Sequence, residues 1–145
     1  MLLRLVVDTN IWISALLDPG GPPARARRAF ERGGFILVMS EPMFVELEEV
    51  LARPRLARRY GITPAVVGGL VRLLRERSEV VSIAGTIQLC RDPDDDVVIE
   101  TALVGGAHAL VTRDDDLKST EMSEALAARG VAVLTVRRLL DLLEA

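Results

Sequence analysis

The side chains best equipped for chemistry in this sequence are carboxylates, and they fall in four places. Asp8 follows the apolar run Leu5-Val6-Val7 and precedes Thr9-Asn10, and Glu46 lies between Val45 and Leu47. Arg91-Asp92-Pro93-Asp94-Asp95-Asp96 packs four acids into five positions, and Thr112-Arg113-Asp114-Asp115-Asp116 closes another apolar run. Each place has an ordinary explanation. Acids at a helix start are favoured by the macrodipole, so Asp92 or Asp94 could serve as a cap, and an exposed helical glutamate would account for Glu46. Capping explains one or two acids of the Asp92 to Asp96 run, not four.

Gathered carboxylates repel one another and stay ionised only beside positive charge, for which a divalent cation is an economical source. Oxygen ligands without His or Cys select Mg²⁺ or Mn²⁺ over zinc. His108, the sole histidine, is expected at the surface or at a strand edge and not as a ligand. A carboxylate-held cation of this kind suits phosphoryl chemistry: it screens an acidic site from a phosphodiester and makes hydroxide available near neutral pH. The sequence has no glycine-rich phosphate loop of the nucleotide-triphosphate type, which argues against a nucleotide-driven motor.

These acids need elements that bring them to one place. The apolar run before Asp8 reads as a buried strand delivering the carboxylate to its carboxyl end, where ligands bind in open α/β sheets. A helix from Asn10 to about Leu17 stops at Asp18-Pro19-Gly20-Gly21-Pro22-Pro23, and Ala24 to Arg32 forms a basic helix. That arginine face is either solvated or a phosphate-contacting patch beside the site. Phe35 to Met39 is a second strand, and Ser40 is placed to N-cap a helix over Met43 to Leu51, which carries Glu46.

Leu56 to Tyr60 and Ala65 to Arg77 read as helices and Val80 to Ile83 as a strand. Val97 to Val104 is an apolar helix directly after the acid run, and His108 to Thr112 is a buried strand ending in Asp114 to Asp116. Leu117 to Arg129 holds a short helix or two, Val131 to Thr135 is a last strand, and Val136 to Leu143 a closing amphipathic helix. The alternation predicts an α/β fold with about five strands in a mostly parallel sheet flanked by helices.

With 145 residues the chain has room for one domain with a substantial core, expected to span residues 1–145. No segment is long and apolar enough to cross a membrane, and no export signal opens the chain, so a cytoplasmic location is expected. Cys90 stands alone, which excludes an intramolecular disulfide or a cysteine-rich zinc site. The net charge is −3 and the only lysine is Lys118. Contact with nucleic acid would therefore need local arginine patches or cations that reverse the sign of the acidic site.

Taken in order, Val7-Asp8-Thr9-Asn10, Val45-Glu46-Leu47, Asp92-Pro93-Asp94-Asp95-Asp96 and Val111-Thr112-Arg113-Asp114 resemble the motifs of PIN domains. The resemblance runs from Leu5 to the final strand and is strongest to the branch of toxin components of toxin-antitoxin systems, related to VapC toxins. It implies a three-layer fold and a ribonuclease that uses Mg²⁺ or Mn²⁺ to hydrolyse single-stranded RNA. Carried over residue by residue, it implies Asp8, Glu46, Asp95 and Asp114 as the catalytic and metal-binding quartet, with Thr112 and Thr9 or Asn10 in support. Asp92 and Asp116 are implied as accessory acids. Aligning through Ala102 selects Asp95 as third acid, whereas counting back from Thr112 selects Asp96; Asp95 is preferred because the glycine pair before His108 absorbs one residue. The resemblance also implies a small antitoxin partner and a homodimer.

Three other readings compete: a nuclease of RNA processing that is no toxin, a metal-dependent phosphatase or receiver-type phosphoacceptor, and a non-catalytic binding module. A phosphatase of the haloacid-dehalogenase type wants Asp-x-Asp after the first strand, but position 10 is Asn. A receiver wants a lysine after the last strand, and Lys118 is misplaced for it. Retention of all four acids weighs against a non-catalytic module.

Overall fold

In the computed structural model, residues 2–144 are described. They form five strands and eight helices in the order β1 (Arg4–Val7), α1 (Thr9–Leu17), α2 (Pro22–Glu31), β2 (Ile36–Ser40), α3 (Glu41–Leu51), α4 (Pro54–Tyr60), α5 (Pro64–Arg77), β3 (Glu79–Val81), α6 (Pro93–Val104), β4 (Ala109–Val111), α7 (Thr120–Ala127), β5 (Ala132–Leu134) and α8 (Val136–Glu144). All strand pairings are parallel, and the sheet order is β3-β2-β1-β4-β5.

The central strands are unbroken apolar runs because helices cover both faces of a parallel sheet. Leu5, Val6 and Val7 of β1, and Leu37, Val38 and Met39 of β2, are all but fully buried. β3 differs: Glu79 and Val80 are exposed, and the strand ends at Val81 instead of reaching Ile83. It is a sheet edge, where short, polar strands discourage further pairing. Arg4 reinforces that edge with a two-pronged bond to Glu79 at 2.7 and 3.0 Å.

A cluster of Trp12, Phe30 and Phe35 joins α1, α2 and the approach to β2, with ring centroids 5.6 Å apart in both pairs. Gly105 ends α6 against β2. A Cβ there would run into the side chain of Val38 and lie 2.9 Å from the carbonyl of Thr101.

Several local expectations change. Ser40 occupies the N-cap position of α3, but its side chain caps nothing. Its hydroxyl instead meets that of Thr101 at 2.8 Å in the buried seam between β2 and α6. The segment after β4 holds one helix, α7, preceded by a turn. On the basic helix α2, Arg25 pairs with Glu144, Arg27 with Glu31, and Arg28 donates to the Pro19 carbonyl. Much of that charge is therefore met within the fold. His108 is exposed just before β4, and its Nδ1 accepts the N–H of Arg4 at 2.8 Å.

Chain order along the sheet reverses at β1. The chain moves outward from β1 to β2 and β3, then returns to β4 on the other side. Such a switch point opens a crevice at the carboxyl ends of the two central strands. That crevice is where Asp8 and Thr112 emerge.

Candidate acidic metal centre

Asp8 is the first residue beyond β1 and is only 4% exposed. Its N–H donates to the Val111 carbonyl at 2.9 Å, fixing the end of β1 against β4. The Thr112 hydroxyl donates to Asp8 Oδ2 at 2.9 Å and accepts the N–H of Asp114 at 3.0 Å. A single hydroxyl thus ties the first acid to the turn that carries another. Asp114 Oδ1 accepts the N–H groups of Asp116 and Leu117 at 2.8 and 3.1 Å, which folds that turn back on itself.

From the other side, α6 begins beside the crevice. Asp92 is its N-cap, accepting the N–H of Asp94 at 2.9 Å. The capping explanation therefore holds for Asp92 itself. Pro93 opens the helix, where a missing N–H costs nothing, and the first turn then presents Asp95 inward at 7% exposure. One carboxylate oxygen each from Asp95, Asp114 and Asp116 lie within 4.8 Å of one another. The charge of Asp8 also bears on Asp95.

The electrostatics follow from burial and crowding. Asp95 is pushed up to about 7, first by loss of water and then by Asp114, Asp92, Asp8 and Asp116. Asp8 is raised chiefly by burial; the Thr112 hydroxyl pulls it back, with smaller help from the N–H groups of Asn10 and Thr9, neither of which forms a true capping bond. Glu46 on α3 is half-buried and pushed up to about 7 by burial, then by Asp94, Asp8 and Asp92. It shares a shallow concavity with Asp94, at the flank of the site. The Thr9 hydroxyl faces it and eases its charge, but is buried without a hydrogen bond of ordinary geometry.

The structure does not bring Asp96 into this group. Its Oδ1 accepts the N–H groups of Leu89 and Cys90 at 2.9 and 2.8 Å, and these bonds hold its carboxyl below the usual range despite burial. Asn10 is exposed at the start of α1. Asp116 meets Arg91 at 2.6 Å as well as facing Asp95 and Asp114.

Two buried residues on α6 went unread in the sequence. Glu100, 4% exposed, accepts the N–H groups of Gly85, Thr86 and Ile87, and Thr101 makes the hydroxyl pair with Ser40. The available signal was an acid four residues beyond Asp96, on the same helix face inside an otherwise apolar stretch.

The donor set fits a hard divalent cation. It offers oxygen ligands only, and two of the site's carboxyls are pushed up to about 7 by burial and then by neighbouring acids, a cost that a bound cation would offset. A cavity of about 750 Å³ lies elsewhere, between α3, α4 and α5, lined by Leu51, Ile62, Val67 and Val71. Its rim carries Glu48, Arg72, Arg75 and Glu76, but none of the acids gathered at the sheet's switch point.

Comparison with known proteins gives the class. Residues 4–116 match the PIN domain family, so the chain belongs to it. The chain is also 26% identical over 117 residues to the uncharacterized protein MJ1680 of Methanocaldococcus jannaschii, covering 81% of this chain and 74% of that protein. Among solved structures it shares its fold with VapBC2 from Rickettsia felis, determined bound to a DNA fragment from their promoter. The TM-score is 0.56 at 11% identity, over 92% of this chain and 98% of that one.

Proposed function

We propose that this protein is a ribonuclease that hydrolyses phosphodiester bonds of single-stranded RNA with Mg²⁺ or Mn²⁺, and that it is the toxin component of a toxin-antitoxin pair. The observation that carries the nuclease reading is the convergence of Asp95, Asp114 and Asp116 beside Asp8, at the sheet's switch point in a PIN domain. In this reading Asp8, Asp95 and Asp114 hold the cation, Glu46 joins from α3, and Asp116 and Asp92 contribute charge at the rim. The cation supplies charge neutralisation for the phosphodiester and hydroxide near neutral pH. The chain's own part is positional: Thr112 sets the distance between Asp8 and Asp114, and the first turn of α6 aims Asp95 across the crevice.

The toxin half of the reading rests on the motif resemblance, and the shared fold with VapBC2 accords with it. It carries a small antitoxin partner, a homodimer and a cytoplasmic location with it. No described helix is long and apolar enough to cross a membrane.

Cleavage of labelled single-stranded RNA in Mn²⁺, Mg²⁺ or EDTA tests the chemistry. Wild type should cut only with metal, and Asp8→Asn and Asp95→Asn should each lose at least about a hundredfold in rate while remaining folded. Metal-independent cutting, or full activity in either variant, would overturn the reading. Growth arrest on expression, relieved by a small neighbouring reading frame, tests the toxin assignment separately.

A further inference from the structure

The segment from Ser82 to Arg91 links the exposed edge strand β3 to the acidic turn of α6 and has no helix or strand of its own. Backbone donors in such a segment ordinarily face water. Here five of them are captured by two carboxylates on one helix. Glu100 accepts Gly85, Thr86 and Ile87 at 2.9, 2.9 and 3.1 Å, and Asp96 accepts Leu89 and Cys90 at 2.9 and 2.8 Å. Asp96 and Glu100 are one helical turn apart and both buried. Burying a carboxylate is costly unless donors surround it, so the arrangement holds only while the strap lies in place.

The strap runs straight into the site. Immediately after its last anchored residue, Arg91 reaches Asp116 and Asp92 caps α6. Asp95 sits beside Asp96 in sequence but one helical step around, toward Asp114 and Asp116. We infer that Asp96 and Glu100 are positioning residues: by pinning the strap to α6 they fix Arg91, Asp92 and the first helical turn, and so set the placement of Asp95 in the metal centre. This deepens the role proposed above for that centre and rests on it. It also gives Asp96 a task other than that of a ligand. Both carboxyls are held below their ordinary range by the strap's N–H groups, as acceptors of several backbone donors are.

The test compares Asp95→Asn, Asp96→Asn, Asp96→Ala, Glu100→Gln and Glu100→Ala in the full chain. Three readouts are used: Mn²⁺ affinity by electron paramagnetic resonance, amide exchange of residues 85–90, and metal-free amide resonances of Asp92, Asp94, Asp95 and Asp116. Asp96 accepts both strap donors on Oδ1, which Asn retains, so Asp96→Asn should hold Mn²⁺ within about threefold of wild type, whereas Asp95→Asn loses it. Glu100 accepts with both carboxylate oxygens, so Glu100→Gln sets an amide NH2 against a strap N–H and should act as a milder Glu100→Ala. The alanine variants should speed exchange of the strap at least about tenfold, move the Asp92 to Asp95 resonances and weaken Mn²⁺ about tenfold to a hundredfold, the usual range for residues behind ligands.

If an alanine variant does not fold, Asp96→Asn still decides, because a ligand role for Asp96 predicts that Asp96→Asn fails as Asp95→Asn does. That failure would overturn the inference. So would a released strap with resonances and affinity unchanged, or a strap that exchanges no faster without its anchors. Absence of Mn²⁺ binding in wild type would sink the proposed metal centre, and the metal-free resonances would then judge the positioning by themselves.

Discussion

Asp95 and Glu46 face a conflict between folding and function that their surroundings make measurable. Each is pushed up to about 7, Asp95 by burial and four neighbouring acids, Glu46 by burial and three. Between the ordinary carboxylate pKa, about 4, and that value, the metal-free folded chain binds more protons than the unfolded chain. Their contribution to stability is thus full below about pH 4 and lost as pH rises through about 7. Asp95→Asn should melt a few degrees higher than wild type in EDTA at pH 8, at roughly 2–4 °C per kcal/mol for a chain of this size, and no higher at pH 4. Equal melting at pH 8 would show that Asp95 carries no such cost. Metal binding has the opposite sign. Ligands must be ionised, so Mn²⁺ affinity should fall below pH 7 by roughly tenfold per unit for each proton displaced, which calorimetry across pH 5.5–8 would detect. Asp96 and Glu100, held low by backbone donors, add stability above the carboxylate range and lose it as the pH drops through their lowered values.

At the scale of elements, α6 matters most, since it packs on the central strands while holding Asp95, the strap anchors and a hydroxyl pair. Thr101 donates to the Val97 carbonyl at 2.7 Å, so Ser40 is left to donate to Thr101. The two sides of that pair are unequal. Thr101→Val strands the buried Ser40 hydroxyl and should cost about 1–3 kcal/mol, whereas Ser40→Ala leaves Thr101 satisfied and should cost about 0.5–1.5 kcal/mol. Urea unfolding of the two variants would show the reverse order if Thr101 were not the shared acceptor. Gly105→Ala at the far end of α6 has no room beside Val38. It should cost about 1–3 kcal/mol by overpacking, while the same change at exposed Gly68, where a Cβ meets nothing, should leave stability level or raised.

For the whole molecule, the acidic end of the sheet works against a net charge of −3. A cation that binds only the folded chain shifts unfolding by mass action, about 2.7 kcal/mol at a hundredfold excess over its Kd. Mn²⁺ should therefore raise the wild-type Tm by several degrees, EDTA should reverse it, and Asp8→Asn should abolish it. A rise that survives Asp8→Asn would place the binding elsewhere. The same charge balance means that any nucleic acid must be held by local arginines and the cation, so binding should weaken as salt is raised.

The alternation of apolar runs with helical stretches sufficed for the parallel α/β class, since both faces of such a sheet are covered and its central strands need no polar residue. Acids directly after Val7, before the α6 run and after Val111 were legible for the same reason: a strand end or helix start places its neighbour without help from distant contacts. Other assignments depended on contacts across the fold. Ser40 had the sequence context of a cap, yet Thr101, far along the chain, captures its hydroxyl. Counting selects Asp95 from Ala102 and Asp96 from Thr112, with Asp95 preferred, and the helical step between them, with the strap on one side and Asp114 on the other, separates their surroundings. Glu100 takes its role from the strap that folds over it, a contact that local sequence does not show. Local sequence determined which elements form and what chemistry they carry to the sheet. Tertiary structure decided the direction each acid faces, because burial and hydrogen-bond partners are properties of segments that meet only in the folded chain.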